Sequence, residues 1–295
     1  MTLYSLRLAI HYEFDRPTGA GRQLFRIFPA DVPLVQRVLQ SSLTITPTPA
    51  ERGEFTDFFG NRVIEVAMPP GLTSLDLVLT AKVDRFISED LLDISTLLGK
   101  LPGEVSGYPD VGRQSPHHFL APSRRIPTTP EISAFAAKAV QGCVTARDAV
   151  QRLGEALHSH MRFDAKATSV DTLPAEAFAL GRGVCQDFSQ IMVAGLRSLG
   201  LPAAYVAGYL RTYPPPGKKR LAGADAMHAW VRAWAGAEMG WIDYDPTNAC
   251  FARQDHIDVG YGRDYGDVAP ITGMLRLDGS QTGRHSVDIE ETPGG

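Results

Sequence analysis

A cysteine stands where a helix begins, and this setting favours a nucleophile. Cys185 follows a glycine-punctuated loop, residues 181–184, and opens a run with helical periodicity. The first N–H groups of a helix have no partners of their own, and the helix dipole there favours a thiolate over a thiol. The same N–H groups can hold an oxyanion. We therefore predict that Cys185 is a nucleophile, whereas Cys143 and Cys250 fit the buried structural role that is common for free thiols.

A histidine and an aspartate downstream supply the other groups that such a nucleophile needs. His228 begins a strand-like run, and Asp243 and Asp245 lie in a second one. An imidazole takes the proton from the thiol, and a carboxylate orients the imidazole. Together with Cys185, these residue types predict a site for cysteine-dependent acyl transfer.

The loop between the two runs bears on which aspartate meets the histidine. If Trp234 faces Trp241 in a hairpin, Thr247 lies opposite the histidine, whereas a shorter loop places Asp245 there. Asp243 would need a turn that is tighter than the glycines in this loop suggest. The register therefore favours Asp245, and Asp243, which points to the same face, stays the second candidate.

The other polar clusters do not suggest a metal site. Several histidines lack the spacing of metal ligands: His117, His118, His158 and His160. His256 forms a small polar cluster with Asp255 and Asp258, for which we expect a structural role. Since the chain also lacks a CxxC pair, we expect no metal and no cofactor.

Composition excludes several other classes of function. The chain has 295 residues, of which 44% are hydrophobic and 21% charged, and its net charge is −4, as is ordinary for a soluble globular protein. This charge gives no reason to expect a nucleic acid or a membrane surface as partner. No apolar run reaches the roughly 18 residues that cross a bilayer, and residues 1–14 do not resemble a signal peptide. We therefore expect a cytoplasmic protein with reduced cysteines.

Two kinds of periodicity divide the chain. Residues 3–14 alternate apolar and polar side chains, which predicts a strand in a small all-β sandwich or barrel. Similar runs predict further strands at 22–29, 36–46, 54–59, 62–68 and 73–86. Helical spacing begins at Pro130, and the cysteine helix is expected to end at Gly200.

The remaining segments complete a division into three parts. Strands are expected at 203–211, 228–234 and 241–245, followed by about 30 loop-like residues at the end of the chain. We expect an N-terminal β domain (1–101), a linker rich in proline and glycine (102–130), and a core with a C-terminal extension (131–295). Apolar residues in the linker indicate that it packs on the surface.

Three motifs together resemble the bacterial transglutaminase-like cysteine hydrolases. They are the segments 183–188 (GVCQDF), 228–231 (HAWV) and 240–248 (GWIDYDPTN). The segment 262–270 (GRDYGDVAP) and the N-terminal β region are also similar to members of that family, so the resemblance spans nearly the whole chain. Two positions depart from other relatives. Gln186 stands where animal transglutaminases have Trp, and Ala179 stands where papain-like proteases have Gln.

The resemblance implies an α+β fold with a papain- and transglutaminase-like core. In such a core the cysteine helix packs on an antiparallel sheet, here beside an N-terminal all-β sandwich-like domain. The resemblance implies Cys185 as nucleophile, His228 as base and Asp245 as orienting carboxylate. The expected function is hydrolysis of a peptide or protein amide through a thioester. Two alternatives stay open: a transglutaminase, in which an amine replaces water, and a non-catalytic peptide-binding module.

Overall fold

The computed structural model describes residues 2–86, 92–213, 223 and 225–292. The first strands are β1 (Thr2–Phe14), β2 (Gly21–Phe25), β3 (Gln36–Thr46), β4 (Glu51–Thr56), β5 (Arg62–Met68) and β6 (Ser74–Arg85). Next come α1 (Leu101–Ser106), a 3-10 helix (Pro116–Phe119), α2 (Pro130–Ala139), α3 (Ala146–His160), β7 (Arg162–Phe163), α4 (Pro174–Leu180), β8 (Arg182–Gly183) and α5 (Cys185–Ser198). The last elements are β9 (Ala203–Leu210), β10 (Ala226–Trp234), β11 (Trp241–Asp245), β12 (Cys250–Phe251), β13 (His256–Gly262), α6 (Tyr265–Val268), β14 (Ile271–Leu275) and β15 (Gln281–Thr292).

The N-terminal strands form two antiparallel sheets around a common apolar core. One sheet has the order β15-β1-β6-β3, and the other has the order β14-β2-β5-β4. The alternation in β1 buries Leu6, Leu8 and Ile10, which lie in one cluster with Phe25 and Ile64 of the second sheet. Successive side chains of a strand point to opposite faces, so each sheet turns its apolar face towards the other. The all-β sandwich predicted from the alternation is confirmed.

The last strands of the chain also belong to this N-terminal sandwich. β14 pairs with β2, and β15 pairs with β1 along its whole length. The expectation that the end of the chain is loop-like is therefore wrong, and a boundary at 131–295 separates strands that share sheets with the N-terminal region. The reason is that β15 buries only Val287 and Ile289, so its own pattern is too polar to predict a strand.

A second core lies between α5 and a five-stranded antiparallel sheet of order β12-β11-β10-β9-β13. Apolar residues of α5, including Phe188, Ile191 and Leu196, cluster with Val231 of β10. The helix is followed by Gly200, whose φ of 78° is left-handed and suits a residue without a Cβ. The predicted α+β fold, with the cysteine helix on an antiparallel sheet, is confirmed.

The proline-rich segment 102–130 packs on this second core. It contains most of α1 and the 3-10 helix, and it buries Val105 and Phe119. Sequence analysis expected the apolar residues of this segment to be buried, but Val111 is largely exposed. None of the described helices is long and apolar enough to cross a membrane.

The five-stranded sheet contacts the N-terminal sandwich as well as α5. Tyr209 of β9 and Ile257 of β13 lie in the same buried cluster as the apolar residues of β1 and β6. The Tyr209 hydroxyl also donates to the carbonyl oxygen of Ile27 at 2.5 Å. The sheet that carries His228 is therefore packed between a helix and a second β structure.

Candidate active site

Cys185 is the first residue of α5, and the loop before it is held by the helix. Val184 donates its backbone N–H to Asp187 Oδ2 at 2.8 Å, and the Thr168 hydroxyl donates to the same oxygen at 2.6 Å. Gly183 leaves room for this carboxylate, because a Cβ there would lie 2.5 Å from Asp187 Oδ2. Burial raises the pKa of Asp187 despite these bonds. Asp187 therefore shapes the entry into the helix, in addition to facing the helix dipole.

The Cys185 side chain is half-buried and packs in a small cluster around Tyr205. The backbone N–H groups of Cys185 and Gln186 occupy the first two positions of α5, where no preceding helical turn supplies a carbonyl. At the other two thiols, burial raises the pKa of Cys143 and of Cys250 to about 11. Their surroundings favour the neutral thiol, which agrees with the structural role expected for them.

His228 of β10 meets Asp245 at the end of β11. Nε2 of His228 lies 2.7 Å from Oδ2 of Asp245, and both side chains are buried. In the hairpin Trp234 pairs with Trp241, and this register, continued, puts Thr247 opposite His228. Asp245 therefore reaches the imidazole diagonally, from two positions along the neighbouring strand. The loop is the longer of the two that the sequence analysis considered, and only the shorter one would have placed Asp245 directly opposite His228. Asp245 is nevertheless the aspartate that meets the histidine.

The Asp245 carboxylate is surrounded by hydrogen-bond partners. Oδ1 accepts the backbone N–H groups of Thr247 at 2.9 Å and of Asn248 at 3.2 Å. Oδ2 accepts the Asn248 side-chain amide at 2.7 Å and, besides His228, lies 3.1 Å from Nε2 of His256. Because Asp245 is fully buried, these bonds replace the hydration that its charge loses.

The electrostatics of the site favour a charged imidazole. Burial opposes a charge on His228, but hydrogen bonds to Asp245 and to the Cys185 thiol outweigh it and raise the pKa of His228 to about 10. Burial likewise opposes the charge of Asp245, yet hydrogen bonds from His228 and His256 hold the pKa of its carboxyl far below its usual range. Since Nε2 of His228 bonds to Asp245, Nδ1 is the ring nitrogen left for Cys185. The site can thus hold an imidazolium between a thiol group and a carboxylate.

Asp243, the second candidate, is engaged elsewhere on the same sheet. It lies opposite Arg232, whose Nε and Nη2 donate to its two oxygens at 2.7 and 2.8 Å. Trp230 Nε1 donates to it at 3.2 Å. Burial raises the pKa of Asp243, but the Arg232 guanidinium outweighs burial and lowers it. This aspartate therefore serves as a half-buried counter-ion for Arg232.

His256 is the residue of this group that the sequence analysis placed in a polar cluster and did not assign to the active site. Its Nε2 bonds to Asp245, its Nδ1 accepts the backbone N–H of Arg253 at 3.3 Å, and its ring lies edge-on to Trp230 with centroids 5.2 Å apart. A structural role was expected for it. In the sequence, His256 is recognisable only as a polar residue at the start of a β-run that contains Ile257. This pattern does not tell which side chain the imidazole contacts.

His228, Asp245 and His256 have the donor types of a metal site, and their ligand atoms lie within 4.8 Å of one another. Their hydrogen bonds argue against that use. Nδ1 of His256 accepts an N–H, so its Nε2 carries the ring hydrogen and donates it to Asp245. That nitrogen therefore has no lone pair for a cation. The absence of a metal and of a cofactor stays a prediction from the sequence.

The histidines outside this group make other contacts. His158 Nδ1 donates to the carbonyl oxygen of Thr247 at 2.9 Å, which braces the segment after Asp245. The ring of His160 packs on that of Phe178, with centroids 4.7 Å apart. These contacts are structural ones.

Comparisons with known proteins cover both halves of the chain. Residues 133–246 match the Transglutaminase-like superfamily, and residues 4–84 match the Bacterial transglutaminase-like N-terminal region. An uncharacterised protein of Mycobacterium leprae (strain TN) is 34% identical over 282 residues, which are 95% of this chain and 93% of that protein. An uncharacterised protein of Mycobacterium tuberculosis (strain H37Rv) is 31% identical over 253 residues, which are 82% of this chain and 78% of that protein.

A shorter match and a solved structure complement these relatives. A protein-glutamine gamma-glutamyltransferase of Pseudomonas aeruginosa is 37% identical over 82 residues, which are 28% of this chain and 12% of that protein. A crystal structure from Cytophaga hutchinsonii, described as that of a candidate cysteine protease, superposes with a TM-score of 0.75 at 20% identity. The superposition covers 100% of this chain and 92% of that one. At this identity the likeness shows a shared fold.

Proposed function

The chain belongs to the transglutaminase-like superfamily of enzymes, and from this premise we propose that it hydrolyses a peptide or protein amide with Cys185 as nucleophile. One observation carries the proposal. The half-buried Cys185 helps to raise the pKa of His228, and Nε2 of His228 lies 2.7 Å from the buried Asp245 carboxylate. These are the relations of a nucleophile, a base and an orienting acid.

The first half of the proposed reaction forms a thioester. The Cys185 thiolate attacks the carbonyl carbon of the amide, and the carbonyl oxygen takes up the negative charge. The backbone N–H groups at the start of α5 can donate to this oxyanion. The His228 imidazolium gives its Nδ1 proton to the amide nitrogen, the C–N bond breaks, and the amine leaves.

The second half releases the acid. His228, now neutral, removes a proton from water at Nδ1 while the water oxygen attacks the thioester carbon. The C–S bond then breaks, and the thiolate and imidazolium are restored. Throughout, Asp245 accepts the Nε2 hydrogen of His228, which keeps Nδ1 turned towards the thiol and the substrate.

Acyl transfer to a primary amine is the second candidate. The likeness of an 82-residue segment of the chain to a protein-glutamine gamma-glutamyltransferase favours it. The thioester would be the same, and an amine in place of water would attack it. The choice between the two depends on which nucleophile reaches the thioester carbon. For either reaction we propose a cytoplasmic location, where a free thiol stays reduced.

The pH dependence of alkylation by iodoacetamide tests the nucleophile without a substrate. Labelling of each cysteine is followed by mass spectrometry, and Cys143 and Cys250, with pKa values of about 11, serve as internal controls. We expect Cys185 to react roughly 100-fold faster than either control near neutral pH, and His228→Ala to lose most of this advantage. Labelling of Cys185 no faster than that of the controls would contradict an enzymatic role and favour a peptide-binding module.

Product analysis separates hydrolysis from transfer. A peptide library is incubated with the protein, with and without a primary amine such as methylamine, and Cys185→Ser is the control. Hydrolysis yields new carboxylates whether or not the amine is present. Amine adducts that dominate over carboxylates would instead assign the transfer reaction.

A further inference from the structure

A network of hydrogen bonds leads from Asp245 through His256 to the N-terminal sandwich. We propose that His256 and Arg85 are positioning residues, through which the seating of the N-terminal sandwich on β13 fixes the Asp245–His228 pair. The inference rests on the proposed function, because the pair matters to chemistry only if Cys185 is the nucleophile.

Hydrogen bonds fix the orientation of the His256 ring. His256 and Arg253 are joined twice, since the His256 backbone N–H donates to the Arg253 carbonyl at 3.0 Å and the Arg253 N–H donates to Nδ1 at 3.3 Å. Because Nδ1 is an acceptor, the hydrogen is on Nε2 and points at Asp245 Oδ2. The His256 ring thus donates a hydrogen bond to the same carboxylate oxygen that His228 contacts.

Arg85, the last residue of β6, donates hydrogen bonds to the chain on both sides of His256. Its Nη2 donates to the carbonyl of Arg253 at 2.8 Å, and its Nη1 donates to Asp258 Oδ2 at 2.7 Å. The side chains of Arg85 and Asp258 are each 4% exposed. A buried ion pair of this kind has a narrow range of geometries, so it sets the position of the turn that holds the imidazole.

Two side-chain amides of the sandwich complete the seating. β13 is an edge strand, and its pairing with β9 is irregular between Asp258 and Gly260. Gln36 accepts the Asp258 N–H at 3.0 Å and donates to its carbonyl at 2.9 Å, and Asn61 does the same for Tyr261 at 3.0 and 2.9 Å. Each amide thus takes the place of a neighbouring strand, and the edge of the sheet depends on the N-terminal sandwich.

His256 acts on His228 through Oδ2 of Asp245, the oxygen to which both imidazoles bond. Among the described residues, the titratable groups that face His228 are Cys185 from α5, Asp245 from β11 and, through that carboxylate, His256 from β13. If the His256 donor is removed, Asp245 has one donor fewer and attracts the His228 proton more strongly. The pKa of His228 then rises, which a purely structural role for His256 would not cause.

The first test is the NMR titration of His228 in a Cys185→Ala background with two variants of His256. Leucine fills similar space without a donor, whereas glutamine keeps an acceptor for the Arg253 N–H and a donor for Asp245. We expect the pKa of His228 to rise by about half a unit or more in His256→Leu and to change by less than about 0.2 in His256→Gln. With Cys185 present, we expect its alkylation to change its pH profile in the leucine variant and to keep it in the glutamine variant.

Arg85 is tested in the same way. We expect Arg85→Met to shift the His228 titration in the same direction as His256→Leu, and the double variant to shift it no further, because both changes act on one hydrogen bond. Arg37→Met is the control, since Arg37 lies in the same N-terminal sheet and pairs with Asp84 but is 57% exposed. If Arg85→Met does not fold, Arg85→Lys replaces it, and a smaller shift in the same direction is expected because lysine reaches one of the two acceptors.

Each outcome bears on one of the two proposals. If the pKa of His228 is unchanged in folded His256→Leu, the role of His256 is overturned. If the pKa of His228 in folded Arg85→Lys equals that of the parent protein, the role of Arg85 is overturned. An unreactive Cys185 in the unsubstituted protein overturns the proposed function instead. A reactive Cys185 with an unchanged titration would reject the positioning role alone.

Discussion

The two sides of the candidate active site are built from different parts of the chain. On the helix side, Cys185 is held by residues that are close to it in sequence. Thr168 and Asp187, which bond to each other there, are 19 positions apart. On the strand side, the hydrogen bonds span much more of the chain, and Gln36 and Asp258 are 222 positions apart. The setting of Cys185 is therefore a local feature, whereas that of His228 depends on the assembly of both β structures.

The two sides also differ in their exposure to water. The Cys185 side chain is half-buried, whereas His228, Asp245 and His256 are buried. Charges interact more strongly away from water, so small changes on the strand side should alter proton affinities. Changes on the helix side should instead alter access and geometry. The following predictions test this difference.

The largest effect is expected from Asp245→Asn. An asparagine has one acceptor oxygen, so its NH₂ group must face either the backbone N–H groups after position 245 or the two imidazoles. We expect kcat/KM for amide hydrolysis to fall about 100-fold or more, which corresponds to about 2.7 kcal/mol of transition-state stabilisation. Alkylation of Cys185 provides a second readout that needs no substrate.

Asp243→Asn is the matched control on the same strand. It weakens the bond to Arg232, so we expect a loss of about 1–3 kcal/mol in the free energy of unfolding. Because Asp243 does not bond to His228, we expect kcat/KM to stay within about threefold of the parent value. Equal losses of activity in the two variants would contradict the assignment of Asp245.

The second effect concerns stability at high pH. The pKa of His228 is raised from 6.5 to about 10, so its contribution to stability is fully present below pH 6.5 and is lost as the pH rises through about 10. In a Cys185→Ser background, we expect the free energy of unfolding in urea to fall between pH 7 and pH 10.5 by on the order of 2 kcal/mol more than in a His228→Gln variant of it. Parallel pH curves for the two proteins would show that the imidazolium adds no stability.

Two glycines, one on each side, provide a matched pair of packing tests. A Cβ on Gly208, in the strand paired with His228, would lie 2.3 Å from the Trp230 ring and 2.4 Å from the Ile257 carbonyl oxygen. Since Trp230 packs against His256, we expect Gly208→Ala to cost about 1–3 kcal/mol of stability, measured by urea unfolding, and to shift the His228 titration.

Gly183→Ala is the counterpart on the helix side. Its Cβ would lie 2.5 Å from Oδ2 and 2.8 Å from Cβ of Asp187, a buried side chain whose carboxylate also bonds to Thr168. We expect a loss of about 1–3 kcal/mol of stability and a lower alkylation rate of Cys185, because the entry into α5 shifts. The comparison of the two sides would fail if Gly183→Ala altered the His228 titration more than Gly208→Ala does.

Much of the fold could be predicted from periodicity. The alternation in residues 3–14 predicted β1, and the apolar spacing after Cys185 predicted α5 with its end near Gly200. Both elements bury a regular face, and such faces leave a strong pattern in sequence. β15 could not be predicted, because its side chains are mostly polar and its strand depends on hydrogen bonds to the backbone of β1.

The sequence by itself determined which residue types meet at the site. Cys185 at a helix start, His228 on one strand and Asp245 in the next follow from local patterns and from a family resemblance. The structure adds that Asp245 reaches His228 diagonally, a contact that the register argument favoured for a different loop length. Local patterns fix the elements because they act over a few residues.

The tertiary structure alone decided how these groups are held. His256 meets Asp245 because the irregular edge strand β13 is seated by Arg85, Gln36 and Asn61 from the other end of the chain. Such contacts leave no periodic signal, since a polar side chain in sequence does not tell which distant partner it will meet. The proton affinity of His228 follows from this burial and these bonds, and it is therefore a property of the folded chain.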